Sequence, residues 1–294
     1  MAFSRSGLRN SGFDRLMCLL ALLLAIVCPK LVAEQEPLRL VIPPLEETAS
    51  PNTIYFPRLL ALALSKTEAS HGPFTIEHHP RLWTAGRFRA ELQRGRTVDV
   101  MWAVPDEEWE QHLRKIPFPL TRGLNSHRVL LIREQDRDVY QNIASLQDLR
   151  SLRAGQGRHW VDTEVLRANR LPVVTSAHYE LLFIMLAGKR FDYFPRGLSE
   201  VWDEHEQHGH RGLIVEPKLM LRYPSPIHFF VHKANHELAE RIELGLNIAK
   251  EDGSLDELFF SVPGFRRGYQ ELQNPDRLLL DLELPKTGQK SRQK

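Results

Sequence analysis

The chain has 294 residues, 39 basic against 37 acidic side chains, a formal charge of +2 and 42% hydrophobic residues. A charge this close to balance gives no global electrostatic case for nucleic-acid binding. The length suits one large domain or two small lobes.

The first 33 residues read as a secretory signal: Arg5, Arg9 and Arg15 precede the apolar run Leu16 to Val27, and Ala33 offers a cleavage point. A retained anchor is the other reading of that run, and a lipidated Cys28 is disfavoured by the preceding Val27. Removing residues 1–33 takes away Arg5, Arg9, Arg15, Lys30 and Asp14, so the charge falls from +2 to −1. It also removes both cysteines, Cys18 and Cys28, which excludes thiol catalysis and Cys-ligated zinc from the exported chain.

Strand and helix then alternate, which predicts an α/β fold with parallel strands. "LRLVIP" (Leu38 to Pro43), "FTIEHH" (Phe74 to His79) and "VDVMWAV" (Val98 to Val104) read as strands. Between them, "YFPRLLALALSKTEA" reads as a helix with Pro57 in its first turn, and "TAGRFRAELQRG" as a helix closed by Gly95. After the link "IPFPLTRGLNS", a second unit follows: strand "HRVLLIRE", a short helix capped by Ser145, a turn at "RAGQG", helix "WVDTEVLRANR", strand "LPVVTS", helix "AHYELLFIMLAGK" and strand "RFDYFP", ended by Pro195. "LIVEPKLML" and "IHFFVHK" are further strands, and a long helix from His236 breaks at Gly253 before another begins. The tail 286–294 is basic and reads as disordered.

Motif searches return little chemistry. G-x-S-x-G, H-E-x-x-H and a P-loop are absent. "HEQHGH" (His205, His208, His210) suggests zinc ligands, but its polar, glycine-bearing setting reads as a solvated loop, so no metal, cofactor or catalytic residue is assigned.

"SLQDLRSLRAGQGRHW", "LAGKRFDYF" and "HFFVHKANHELAERIELGLNIAKEDGSLDELF" resemble, in order, the second half of a type 2 periplasmic solute-binding protein of the polar amino-acid receptor family; "LRLVIPP" and "ELQRGRTVDVMW" match its first half more loosely. The likeness covers about Leu38 to Phe260 and is nearest to exported members with a "RFDyFpRG" segment. The resemblance implies two α/β lobes joined by two crossing strands: residues 34–126 plus 223–285 as lobe one and 127–222 as lobe two. It further implies lobe closure over a small polar or anionic ligand, a location in the periplasm, and a membrane transporter of the ABC type or a membrane sensor as partner of a monomeric receptor. The same scaffold leaves open a cleft lyase or dehydratase using carboxylates such as Glu46, Asp162 and Glu200, and a ligand-free regulatory module.

Two departures from the family argue against a standard amino acid. The family's carboxylate-gripping arginine after the third strand is missing, and Asp106, Glu107 and Glu108 occupy that zone. Where the family places an acid for the ligand ammonium, this chain has Arg196. An i,i+4 ion pair with Glu200, or pairing with Asp203 or Glu204, is the plain alternative for that arginine. Ligands of open α/β sheets sit beyond strand carboxyl ends, which makes Arg158 and Trp160 after "RAGQG", Tyr179 after "LPVVTS", Arg196, the aromatics Tyr55 and Trp102, and Arg122 near the first crossing the candidate ligand-binding residues.

Overall fold

A computed structural model describes residues 36–45 and 51–285. The segment read as a secretory signal, both cysteines, Glu46 and the basic tail lie outside the described residues.

Three sheets organise the described residues. β1 (Leu38–Ile42) and β2 (Phe74–His78) pair in parallel, joined through helices α1 (Pro51–Ser65) and α2 (Glu68–His71). α1 buries Tyr55, Phe56, Leu59, Leu60, Ala63 and Leu64. It begins at Pro51, so Pro57 falls inside the helix rather than in its first turn, and its missing N–H forfeits one helical bond.

After α3 (Ala85–Gln93), β3 (Val100–Ala103) and β4 (Leu113–Lys115) flank β11 (His228–His232) in an antiparallel three-stranded sheet. Between β3 and β4 lies α4 (Glu107–His112). The acidic run at 106–108 has a local purpose here: the Asp106 carboxylate caps α4 by accepting from the Trp109 amide at 2.8 Å, and Glu107 and Glu108 sit in the first turn, where negative charge opposes the helix dipole.

The third sheet has seven strands in the order β12-β10-β5-β8-β6-β7, with β9 also on β5. They are β5 (His127–Arg133), β6 (Ala154–Gly157), β7 (Val173–Ser176), β8 (Tyr193–Gly197), β9 (Leu213–Val215), β10 (Leu219–Arg222) and β12 (Leu278–Asp281). The helices α5 (Arg137–Gln141), α6 (Leu146–Leu149), α7 (Val161–Ala168), α8 (Tyr179–Ala187) and α9 (Val201–His208) connect them. Ser145 and Asp148 form a reciprocal capping box on α6.

Four expectations change. "RAGQG" is not a turn: Ala154–Gly157 is the buried strand β6, paired in parallel with β7. β8 continues past Pro195 to Gly197, pairing Leu130↔Pro195 and Arg128↔Gly197 with β5. Proline is tolerated because the backbone edge it shares with β6 has left the ladder, and the Gln156 side chain donates to the Pro195 carbonyl at 3.3 Å. "HEQHGH" is not a loop: α9 runs through His208 and a 3₁₀ turn covers Gly209–Arg211, with Val201, Trp202, Glu204 and His208 buried. "LIVEPKLML" splits into β9 and β10, because the buried Glu216 carboxylate accepts the amides of Lys218 (3.0 Å) and Leu219 (2.5 Å) and turns the chain at Pro217.

The chain closes with α10 (His236–Glu251), Gly253 at φ +84°, α11 (Ser254–Ser261) and α12 (Pro263–Leu272). β12 then returns to pair in parallel with β10. The end of the chain therefore extends the sheet built from 127–222, whereas lobe one was expected to keep everything from 223 to 285. The two crossings lie side by side: the Tyr223 amide donates to the Ser126 carbonyl (3.1 Å), and the Asn125 side-chain amide donates to the Ser225 carbonyl (2.6 Å).

Candidate functional site

A cavity of about 410 Å³ opens where the crossings meet the seven-stranded sheet. Val104, Asn125 and Ser225 line one side; Arg128, Trp160, Asp162, Arg196 and Glu200 line the other. The crossings deliver Asn125 and Ser225 and the end of β3 delivers Val104; β5 and β8 deliver the two arginines, and the N-terminus of α7 delivers Trp160 and Asp162.

Two ion-pair systems occupy its wall. Arg128, buried at the start of β5, donates from Nε to Asp162 Oδ1 at 2.7 Å and from Nη1 to the carbonyls of Asn125 (2.7 Å) and His127 (3.1 Å). Its guanidinium lies 5.0 Å from the Tyr223 ring centroid, and the Tyr223 hydroxyl donates to the same Asp162 oxygen. Burial pushes the Asp162 carboxyl up, but the Arg128 charge and the bonds from Arg128 and Tyr223 outweigh it and hold the group below its ordinary value. Asp162 is thus the second residue of α7 and an ion partner, and Trp160 takes the cap position.

Arg196 forms the second system. Nε donates to both Glu204 oxygens (2.9 and 2.8 Å), and Nη2 donates to Glu204 Oε1 (2.5 Å) and Glu200 Oε2 (2.7 Å). Burial opposes its charge, yet the two carboxylates over-compensate and raise its pKa. Glu204 is 8% exposed and Glu200 46%, so the first carboxylate is fixed in the wall and the second stands at its edge. The ion-pair alternative for Arg196 is therefore realised, and the same arginine also faces the cavity.

The other predicted residues scatter. Trp160 lines the cavity, 5.0 Å from the Arg196 guanidinium, and rests directly on Gly157, where a Cβ would come within 2.4 Å of its ring. Tyr179 stands behind Arg196 and donates to Glu204 at 2.7 Å. Arg158 is exposed and is not among the residues lining this cavity. Tyr55 is not a cleft wall: it is fully buried, donates to the Leu120 carbonyl at 2.9 Å and packs edge-on against Phe259 and Phe265. Trp102 stacks on Phe56 at 5.5 Å, at the rim of the main core. Arg122 turns away to pair with Asp256 beside the Phe259 ring. Among the described residues no group of three or more His, Cys, Asp or Glu is placed to hold a metal ion, and no helix is long and apolar enough to cross a membrane.

No family model and no curated protein matches the chain. Solved structures do. An ancestral arginine-binding protein bound to glutamine aligns over 78% of this chain and 98% of its own, at 18% identity and a TM-score of 0.53. The L-cystine solute receptor of Neisseria gonorrhoeae, in its unliganded open conformation, aligns over 78% and 94%, at 17% identity and 0.51. The chain has the two-lobed fold of the periplasmic solute-binding proteins. A third structure with this solute-binding fold, an ancestral amino acid-binding protein described as a precursor of cyclohexadienyl dehydratase, aligns over 77% and 94%, at 14% identity and 0.53.

On the solute-binding fold, the cavity stands at the two crossings, and Val104, Asn125, His159, Val161 and Ser225 of its lining escaped sequence reasoning, while Arg128, which flanks the first crossing and reads as a hinge residue or a cleft residue, lines it. For Asn125 and Ser225 the only sequence signal is position, since they bracket the two crossings. Asp162 and Glu200, both open to a catalytic reading in the sequence, prove to be partners of arginines, Glu200 in the i,i+4 pair expected as the alternative for Arg196. An Asp162 held ionised by Arg128 is a poor proton donor near neutral pH.

Proposed function

We propose that this chain is an exported solute-binding protein that captures a small polar or anionic molecule in the cavity at its two crossings. Transfer of that solute to a membrane transporter of the ABC type, or reporting its presence to a membrane sensor, is the task such a receptor performs, here as a monomer in the periplasm. The observation that carries the reading is the cavity itself: about 410 Å³, the size of a small-molecule site, lined from both sides of the crossings and holding two ion pairs, Arg128–Asp162 and Arg196–Glu200, in its wall. Paired charges suit a polar solute, because the pairs keep each buried ion satisfied while the site is empty.

Lobe one is then residues 34–126 with most of 223–277, and lobe two is 127–222 with β12 added. Glu200 is the exchangeable element. It holds Arg196 through one oxygen and is half exposed, so an acidic group on the solute can replace it while Glu204 stays in place. α7 opens at the cavity with Trp160, Val161 and Asp162, and its first backbone amides have no partner within the helix.

The test is a thermal-shift screen of the protein purified from the periplasm against organic acids, amino acids and aromatic metabolites. A ligand that binds only the native state raises the melting temperature by mass action. The expected hit loses affinity in Asn125→Ala, and an acidic hit gains affinity in Glu200→Gln, which removes the carboxylate it must displace. A hit whose affinity neither change alters would place the solute elsewhere, and a complete absence of hits would refute the reading.

A further inference from the structure

Arg196 does more than form an ion pair. Three aromatic rings surround its guanidinium: Phe194 at 4.9 Å, Trp160 at 5.0 Å and Tyr179 at 5.5 Å from the central carbon. Two carboxylates face its nitrogens, Glu204 through both oxygens and Glu200 through one. Tyr179 closes the ring by donating to Glu204. Aromatic faces together with carboxylates at fork geometry are the elements that recognise a free guanidinium. The cage is also independently supported. Trp160 sits over Gly157, Tyr179 stands edge-on to Phe183, and Phe183 stacks on His208 at 3.8 Å, so the walls are fixed from behind.

We propose that lobe two contains a guanidinium-binding cage, built from Trp160, Tyr179, Phe194, Glu200 and Glu204, that the chain's own Arg196 permanently fills. Arg196 is thereby the residue that decides specificity. Its side chain occupies the place where a basic solute would bury its charge, so cationic solutes are shut out and the cavity admits neutral or acidic ones. As a statement about solute selection this rests on the solute-binding reading above. The cage itself does not.

The argument from charge is direct. With Arg196 in place, its one positive charge faces the two carboxylates of Glu200 and Glu204. Without it, both carboxylates remain, Glu204 almost fully buried, and a buried unpaired carboxylate is costly. A small cation of the right shape relieves that cost by taking the vacated space.

The experiment is chemical rescue in the protein purified from the periplasm. Arg196→Ala removes the built-in cation, and methylguanidinium is the probe, with methylammonium and sodium chloride at matched ionic strength as controls. The expected result is a rise in melting temperature of roughly 2–4 °C or more with methylguanidinium in the variant, a smaller rise with methylammonium, and none in the wild type. Arg196→Ala/Glu204→Gln is expected to lose the rescue. An Ala variant that does not fold alone is refolded with each cation, and recovery in methylguanidinium but not in methylammonium is the expected outcome. Equal responses of wild type and variant, or no response and no recovery in the variant, overturn the proposal. The readout needs no natural solute, so a failed ligand screen with a successful rescue refutes the receptor reading and leaves the cage standing.

Discussion

Asp162→Asn isolates the ion pair that joins lobe two to the first crossing. Arg128 and Asp162 have side chains 9% and 21% exposed, and their contact is 2.7 Å. Breaking a fully buried pair by removing one partner costs roughly 3–5 kcal/mol. Asn keeps the volume and one acceptor oxygen, Arg128 keeps its two carbonyl partners, and the site is partly solvated. A loss of about 2–3 kcal/mol follows, comparable to one strong charged hydrogen bond. In a chain of this size that lowers the melting temperature by roughly 4–12 °C. Urea unfolding followed by tryptophan fluorescence measures it. The pH dependence gives a second check. The folded-state pKa of Asp162 is depressed, so its contribution is complete above the ordinary aspartate value of about 3.9 and is lost as pH falls through the lower folded value. The gap between wild type and variant should therefore be flat from pH 7 to 5 and close only below that. A gap under about 0.5 kcal/mol at pH 7, the range of an ordinary surface substitution, or one that closes between pH 7 and 5, would refute the reasoning.

Other perturbations test the supports of the site. Gly157→Ala places a Cβ 2.4 Å from the Trp160 ring and should displace it, costing about 1–3 kcal/mol by overpacking and shifting the tryptophan emission; unchanged emission and stability would contradict the packing. Gly245→Ala drives a Cβ to 1.9 Å from the Ala63 carbonyl where α10 crosses α1, and backbone cannot yield as a side chain can, so destabilisation should exceed that of Gly157→Ala in the same urea assay. His208 is buried with neither ring nitrogen hydrogen-bonded, and burial depresses its pKa. Its neutral form is the stable one, so stability should fall as pH drops from about 6.5 towards the folded value, and His208→Phe should flatten that slope in pH-dependent melts.

Much of the scaffold was legible because local rules and global packing agree. The break between α10 and α11 is readable at Gly253, since φ +84° is a glycine conformation, and the α6 start is readable from Ser145. Where tertiary packing overrode propensity, the sequence misled. β6 carries glycines that read as a turn, yet they stay in a strand because a Cβ at Gly155 would meet Phe191 at 2.1 Å and one at Gly157 would meet Trp160. β8 reads as ending at Pro195 because the Gln156 side chain that takes over from the ladder lies 39 residues away. The site was only partly legible for the same reason. Arg196, Trp160 and Tyr179 carried cues of residue type, but Arg128 and Asp162 are 34 residues apart and meet only through the sheet. Tyr55 carried the same aromatic cue as Trp160 and belongs to the core.

The resemblance implied rotation of the lobes about two crossings, but the chain adds further ties across the same division. α12 presses Gly264 and Gly268 against the Ser199 and Leu198 carbonyls, where an added Cβ would stand 2.5 Å from each oxygen. Asn52 of α1 donates to the same Ser199 carbonyl at 2.9 Å, and the Arg267 guanidinium lies 4.0 Å from the Trp202 ring. Ser199 and Leu198 follow directly from the strand that carries Arg196, so α1 and α12 grip the segment that positions the cage. Rotation about the crossings must slide or release this grip, and the resting separation of the lobes should therefore be narrowly distributed. Gly268→Ala forces α12 off Leu198 and should broaden that distribution. The cysteine-free chain beyond residue 33 suits the measurement: spin labels on Ala69→Cys in α2 and Ala168→Cys in α7, both exposed, report the distance by pulsed electron resonance. Identical distributions with and without the Gly268 change would show that α12 does not restrain the lobes and that the crossings alone govern their motion.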